Sequence, residues 1–536
     1  MINDASVVIG GGNWGIKEAD VLGYKLINDE YYARDIDFAN STAAGTYTDS
    51  TGVIRRSPYN LAQYSEEFDN AAWSKTGITV TPNVEVAPNG TMTADRIQFS
   101  SSNQVLTQTT SLGTGVVCTS SFYVLGTAGQ TLLMAAGGLD QLVTLTGSWQ
   151  RISTTKTSIN STLNVSTFGG ATARDIFLWG AQLVEGTEAL PYFPTTTRLN
   201  VPRIDYRNAD GSLSTVGRLL LEPQRTNVAI FSEQFDDANW LKSNATVTAN
   251  TTVSPDGSQN ADTVTFTATA TAFCQRAIGG THESQSHTVS VYARVATGTA
   301  TFRLKCTHGG VLDYFSSDFT ATTTWQRFTF TATFGATVGT SLVYGVINGS
   351  NALAKSVIFY GFQTELNTSF ATSYIPTTTA AVTRNADSAS KTGVSSWIGQ
   401  TEGTVFVDVN YQAVTGLSMF VSIRPNSTNK IEIYRDGTTI FGDIFGNSVN
   451  VLLSRVSNPA GRYKIALAYK SGQTALYING TSAGTSATAF SFATSMADLS
   501  INLRSGPTFI EQAFYNQVML FPNRLTDSQL QSLTTL

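Results

Sequence analysis

Asn60-Leu-Ala-Gln-Tyr-Ser-Glu-Glu-Phe-Asp-Asn-Ala-Ala-Trp73 decides the fold, because the chain spells it twice. The second copy is Asn227-Val-Ala-Ile-Phe-Ser-Glu-Gln-Phe-Asp-Asp-Ala-Asn-Trp240. Further matches follow in the same order. Pro88 and Gly90 answer to Pro255 and Gly257, Ala94-Asp95 to Ala261-Asp262, and Gln108 to Gln275. Trp149-Gln-Arg151 recurs as Trp325-Gln-Arg327, and Gly180-Ala-Gln182 as Gly361-Phe-Gln363. Tyr192-Phe-Pro-Thr-Thr-Thr197 recurs as Tyr374-Ile-Pro-Thr-Thr-Thr379. Chance similarity of Ser/Thr-rich sequence would not keep this order, so one domain is present twice. The period is domain-sized, too long for a solenoid repeat.

Around the repeats the composition favours strands. Charged residues make up 13% of the 536 and hydrophobic ones 41%, and Thr, Ser, Gly and Asn fill the difference. Long helices want Ala, Leu, Glu and Lys instead. Aromatics at 10% exceed what a disordered chain carries. Alternation in Ile78-Thr-Val-Thr81, Ser120-Ser-Phe-Tyr-Val124 and Ile176-Phe-Leu-Trp179, with Gly- and Asn-rich turns between, predicts antiparallel sandwiches. Ser65 to Trp73 reads as a helical turn or a short helix with Phe68 and Trp73 facing the core. Asp35–Phe38 and Thr46–Ile54 read as short strands about a turn. Glu402–Val409, Ile431–Arg435, Arg462–Tyr469, Thr474–Gly480 and Val518–Phe521 read as strands of another domain. Thr526 or Asp527 would cap a short terminal helix.

The expected fold class is therefore all-β: tandem antiparallel β-sandwiches of jelly-roll type, with irregular connectors and few short helices. The expected divisions are an N-terminal segment 1–59, sandwich 60–197, connector 198–226, sandwich 227–379, connector 380–398 and a third sandwich 399–536.

Few residues invite chemistry. Ser6-Val-Val-Ile-Gly-Gly-Gly-Asn-Trp-Gly15 has the letters of a dinucleotide loop, but Gly23-Tyr24 interrupts the helix such a loop must open. It reads as a packing or docking segment. His282-Glu-Ser-Gln-Ser-His287 places its histidines five apart, whereas the zinc-protease helix needs four; it reads as a surface loop, with His308 elsewhere. Glu66 and Glu233 recur at equivalent places. They are candidates for a glycan-cleaving pair, or carboxylates near a turn. Trp73/Trp240 and Trp149/Trp325 read as core, since both sandwiches need the same one.

Cys118, Cys274 and Cys306 lack CxxC spacing and read as buried free thiols. No dense Asp/Asn cluster suggests calcium. No catalytic residue, metal ligand or cofactor is nominated, and ligand-contact residues stay unassigned. Met1–Ser6 shows no basic region before an apolar run, so neither a signal peptide nor a membrane span is expected. A net charge of −5 gives no reason to expect nucleic acid as partner.

The string Asn-Leu-x-x-Tyr-Ser-Glu-x-Phe-x-x-Ala-x-Trp resembles modules of bacteriophage virion appendages: tail fibres, tail spikes and head fibres. Leu219-Leu-Leu-Glu-Pro-Gln-Arg-Thr-Asn227 and Ala381-Val-Thr-Arg-Asn-Ala-Asp387 belong to the same pattern, as does Gly361–Thr379, with Thr364 in place of a Leu. In that family a segment like Asp35–Ile54 leads directly into one like Val201-Pro-Arg-Ile-Asp-Tyr206, which implies that the first sandwich was inserted. The sandwiches resemble carbohydrate-binding jelly rolls through their Trp-Gln-Arg and Gly-x-Gln strands. Residues 399–536 resemble a laminin-G/concanavalin A-like domain through Tyr477–Gly480 and Phe521–Asp527.

The resemblance implies a virion structural protein. It would bind host-surface polysaccharide, dock to other virion proteins through residues 1–59, and assemble as a homotrimer. The alternatives are a non-adhesive capsid or tail decoration or collar protein, and a glycan depolymerase.

Overall fold

A computed structural model of the chain describes residues 4–10, 22–27, 30–34, 36–39, 44–57, 59–168, 173–190, 192–197, 199–208, 211–309, 314–336, 339–411, 417–457, 460–503 and 512–536. Residues 11–15 of the glycine-rich stretch lie outside these. Among the described residues the fold is all-β, with antiparallel sheets and one terminal α-helix, Asp527–Thr534. Thr526 caps that helix in a reciprocal box with Gln529. The chain forms two compact units. One holds Pro58–Val201; the other holds Met1–Lys17, Val21–Ser57 and Pro202–Leu536.

The first unit is a sandwich of two five-stranded sheets. One runs Gln150–Thr157, Val117–Gly126, Arg174–Glu185, Ala94–Phe99, Ile78–Glu85 in spatial order. The other runs Leu139–Thr144, Thr131–Ala136, Thr162–Ser166, Val105–Thr109, Ser74–Thr76. The second unit repeats both orders. Gln326–Thr333, Ser286–Arg294, Lys355–Glu365, Ala261–Phe266 and Ala245–Thr252 follow the first order in one sheet, which Arg225–Asn227 and Val382–Arg384 extend to seven strands. Phe319–Ala321, Ala300–His308, Ser341–Asn348, Phe273–Gly279 and Leu241–Ser243 make the other. Identical strand order is what colinear sequence matches require of a duplicated domain.

The repeated string staples the inter-strand loop onto its sandwich. Asn60 donates to Ala181 O (2.9 Å) and accepts from Ala62 N and Leu183 N; Asn227 does the same with Phe362 O, Ala229 N and Thr364 N. The indoles of Trp73 and Trp240 donate to Tyr64 O and Phe231 O, both at 3.0 Å, and both acceptor residues have positive φ. Asp95 accepts from Phe68 N and Asn83 N, as Asp262 does from Phe235 N and Asn250 N. The expected helix over 65–73 is a run of single turns instead. Glu67, Asn70 and Trp73 each donate to the carbonyl three residues back, so no α-helical ladder starts.

The third sandwich draws strands from distant parts of the chain. Its first sheet contains Glu402–Tyr411, Gly461–Lys470, Thr474–Ile478 and Ala513–Phe521. Residues 1–59, expected as a separate segment, instead supply strands to it. Val7–Ile9 pairs with Ala513–Phe521, and Asp37–Ala39 pairs with Ser388–Lys391 in the opposing sheet. The reason is apolar: Val7, Ile9, Ile36 and Phe38 are buried in the core of this sandwich, surface that a free arm would leave in water. The connector hairpin Arg203–Arg207/Leu213–Leu221 also joins through Ala513–Phe521.

The connectors meet at a buried ionic knot. Arg203 Nη1 lies 2.7 Å from Glu222 Oε2, Arg384 Nη1 lies 2.8 Å from the same oxygen, and Arg203 also pairs with Asp387. All four side chains are fully buried. Ser373 N and Gln512 Nε2 donate to the other Glu222 oxygen at 2.7 and 2.8 Å. Burial alone would push the Glu222 carboxyl up, but Arg384 and Arg203 hold it down at about 2. Two guanidiniums and two carboxylates cancel, which is how charge survives without water. The strings carrying Arg203, Glu222, Arg384 and Asp387 are thus held together because their charges solvate one another.

Candidate functional site

A repeated β-bulge places an aromatic group on the sheet face turned away from each core. The register slips between Ser121 and Tyr123 in the first sandwich and between Ser290 and Tyr292 in the second. Gly180 and Gly361 sit on the paired strands with φ of 64°, and a Cβ there would lie 2.9 Å from the Tyr123 ring and 3.1 Å from the Tyr374 ring. Tyr123, Trp179 and Tyr192 cluster in the first sandwich, with centroids 4.8–6.1 Å apart. Tyr292, Tyr360 and Tyr374 cluster in the second, 5.5–6.5 Å apart.

The Trp-Gln-Arg motif serves this face. Arg151 lies 5.4 Å over Tyr123 and donates to Leu190 O; Arg327 lies 5.4 Å over Tyr292 and donates to Thr372 O (2.6 Å) and Ser290 Oγ (2.9 Å). The arginine therefore clamps the segment leading to Tyr-x-Pro. Its tryptophan is not core, contrary to expectation. Trp149 and Trp325 are half-buried, their indoles tied to Val86 O and Val253 O, whereas Trp73 and Trp240 are 1% exposed. Residues on the outer sheet face recur because the clamp recurs, not because they fill the interior.

In the second sandwich this face borders a cavity. The hairpin Thr46–Thr48/Ile54–Arg56 inserts Ile54 against Tyr292, Tyr360 and Tyr374, and Ile54 N donates to Pro255 O at 2.9 Å. With the strand Arg203–Arg207 and Phe514, it encloses a cavity of about 580 Å³. Aromatic walls come from Tyr47, Tyr292, Trp325, Tyr374 and Phe514; polar groups come from Arg207, Asn208, Ser212, Gln326 and Arg327. Asp205 is the one carboxylate among the described lining residues. Both its oxygens are spent, on Thr48 N (2.8 Å) and Arg207 N (2.7 Å), and burial pushes its carboxyl up despite those bonds. This combination of flat apolar walls and a few fixed donors and acceptors suits a polyhydroxylated ligand.

Of the glutamates nominated by repetition, Glu233 adjoins the cavity without lining it, and Glu66 lies in the other unit. Glu233 Oε1 accepts from Tyr374 (3.0 Å) and Tyr360 (3.2 Å), and Asp256 Oδ2 accepts from Tyr360 at 3.0 Å. Burial, with the Asp256 charge adding to it, raises the Glu233 carboxyl. Glu66 accepts from Tyr192 at 3.0 Å, and Asn89 stands where the second sandwich has Asp256. Both glutamates anchor the tyrosine of Tyr-x-Pro.

The three histidines are a further correction. His282 and His287, expected in a surface loop, are buried at 6% and 0% exposed, and they meet His308, 2% exposed, at one end of the second sandwich. His282 lies 5.0 Å from His287 and 6.1 Å from His308, and Phe334 stacks on His308. His287 Nδ1 accepts from Asn367 N (3.2 Å) and His308 Nε2 from Gly339 N (3.0 Å), so one lone pair on each ring is already engaged. Cys118, Cys274 and Cys306 are buried free thiols, as read.

Sequence reasoning missed Tyr47, Arg207, Tyr292 and Phe514, which come from four separate strands. Asp205 lay in a noticed connector, but nothing local marked it as a cavity residue.

No family model matches the chain, and no curated protein matches it. Solved structures give distant likenesses. The receptor-binding domain of botulinum neurotoxin type G matches at 11% identity with a TM-score of 0.23, over 28% of this chain and 39% of that one. The tandem CBM22-1–CBM22-2 domains of Xyn10C from Paenibacillus barcinonensis match at 13% identity and TM-score 0.22, over 61% of this chain and 99% of that one. Domains LG4-5 of the mouse laminin alpha1 chain match at 8% identity and TM-score 0.18, over 49% and 93%. The β-sandwich assignment rests on the strand pairing itself.

Proposed function

We propose that the chain is a glycan-binding appendage of a bacteriophage particle, a fibre that attaches the virion to polysaccharide on the host surface. The observation that carries the binding reading is the cavity, with its aromatic walls and fixed polar groups. The one carboxylate among its described lining residues, Asp205, is held by a backbone N–H on each oxygen, and a cleaving site needs a pair, which favours holding a sugar over cleaving one. The virion assignment rests on the repeated Asn60–Trp73 string and its connectors. Docking to other virion proteins and trimeric assembly belong to the same proposal. Copy number would turn weak sugar contacts into avidity.

Light scattering of purified host surface polysaccharide, with and without the protein, tests this. A heavier complex with intact polymer is the expected result. A falling polymer mass would make the protein a depolymerase. No change at high protein concentration would move it to a decoration or collar role.

A further inference from the structure

The cavity is cationic in a chain that is acidic overall. Arg207 and Arg327 lie 5.7 and 5.4 Å from the centre of the same ring, Tyr292. Arg294 lies 5.6 Å over Trp325, the half-buried indole of the cavity wall. None of the three forms an ion pair with a described residue, in contrast to Arg203 and Arg384 nearby. Arg207 donates to neutral oxygens, Thr48 Oγ1 at 3.2 Å and Gly211 O at 3.3 Å, and Arg327 to Thr372 O and Ser290 Oγ. The Nε of Arg294 is buried with no acceptor among the described residues. Asp205 is the one carboxylate among the described lining residues; its charge is shared between Arg218 and Arg207, and its oxygens also accept from Thr48 N and Arg207 N, so it offsets only part of the positive charge.

Arg207 and Arg327 line the cavity against one described carboxylate, Asp205, and Arg294 adds a third guanidinium against the wall indole; this excess of positive charge leaves a position for an anion carried on a flat polyhydroxylated body. We infer that the cavity recognises an acidic saccharide whose sugar carboxylate sits against Arg207 while the ring lies along Trp325, beside the Arg294 guanidinium. This rests on the glycan-binding reading and narrows it. Guanidinium matches carboxylate geometry in a fork that neutral sugars cannot use. The first sandwich keeps Arg151 over Tyr123, but Leu125 stands where the second has Arg294; its corresponding face is not expected to share this preference.

The test is binding of the full chain to immobilised polygalacturonate, hyaluronate and polysialate, to the carboxyl-reduced form of each, and to neutral dextran and xylan. Binding to at least one acidic polymer is expected, weakened about tenfold or more by carboxyl reduction and by raising salt toward 1 M, where screening is nearly complete. Arg207→Gln and Arg294→Gln are expected to lose about tenfold each, with unfolding midpoints unchanged. Arg207→Lys keeps the charge and is expected to retain part of the affinity. Equal binding to acidic and carboxyl-reduced polymers, or arginine variants that bind like the parent, would overturn the acidic preference and leave the glycan reading standing. No binding to any polymer, host polysaccharide included, would overturn both.

Discussion

Acidification is expected to loosen the second sandwich, and His287 to account for most of the effect. Burial, reinforced by His282 and His308, lowers the His287 ring from 6.5 to about 4. Burial also lowers His282. A base whose folded pKa is depressed is stable while neutral, and the unfolded chain takes up the proton first. Stability therefore falls as pH drops below 6.5 and continues to fall toward 4. Each pKa unit is worth about 1.4 kcal/mol, so between pH 7.5 and 4.5 His287 alone removes about 2–3 kcal/mol.

The geometry agrees with that sign, because protonation would place a hydrogen on Nδ1 opposite the Asn367 N–H it now accepts from. Glu283 is the neighbouring carboxylate that acts on His282. Asp262 and Glu233 are raised by burial and work in the opposite direction. The comparison must therefore be with His287→Asn, whose side-chain oxygen can keep the acceptor without titrating.

Urea unfolding of the full chain at the two pH values, followed by pulse-labelling mass spectrometry on peptides from 273–367, gives the second sandwich separately. The parent should lose about 2–3 kcal/mol more than the variant on acidification. A difference below about 0.5 kcal/mol would refute the argument that a buried neutral imidazole governs this end of the sandwich.

Other expectations follow from the same contacts. Glu222→Gln leaves Arg203 and Arg384 buried without their shared anion and should cost about 3–5 kcal/mol in thermal unfolding; an unchanged midpoint would mean that the knot contributes nothing net. Trp240→Ala should cost about 3–5 kcal/mol as a core truncation, whereas Trp325→Ala should cost under about 1.5 kcal/mol yet weaken polysaccharide binding about tenfold. Reversal of that pattern would return Trp325 to the core. Asp95, pushed up to about 6 by burial, should make the first sandwich more stable as pH falls from 7 to 4.5. The same labelling experiment reads this on peptides from 60–197, and Asp95→Asn should abolish the gain.

The sequence by itself determined the duplication and the strand class. Repeats that fold alike must keep the residues that make local bonds, and Asn60, Trp73, Asp95 and Gly180 each bond or turn the chain in a way their partners in the second copy reproduce. Alternation likewise exposed the strands of the third sandwich, since period two is a local property of one strand. It could not separate Trp325 from Trp240, because repetition marks any shared structural role and does not say which side of a sheet a residue faces. It could not gather His282, His287 and His308, nor Tyr47, Arg207, Tyr292 and Phe514, because those groups meet only when distant strands pair. The ionic knot was visible as four conspicuous strings but not as one object. Only the tertiary structure removed the water that makes Arg203, Glu222, Arg384 and Asp387 depend on one another, and only it left Arg207, Arg294 and Arg327 without a close ion pair among the described residues.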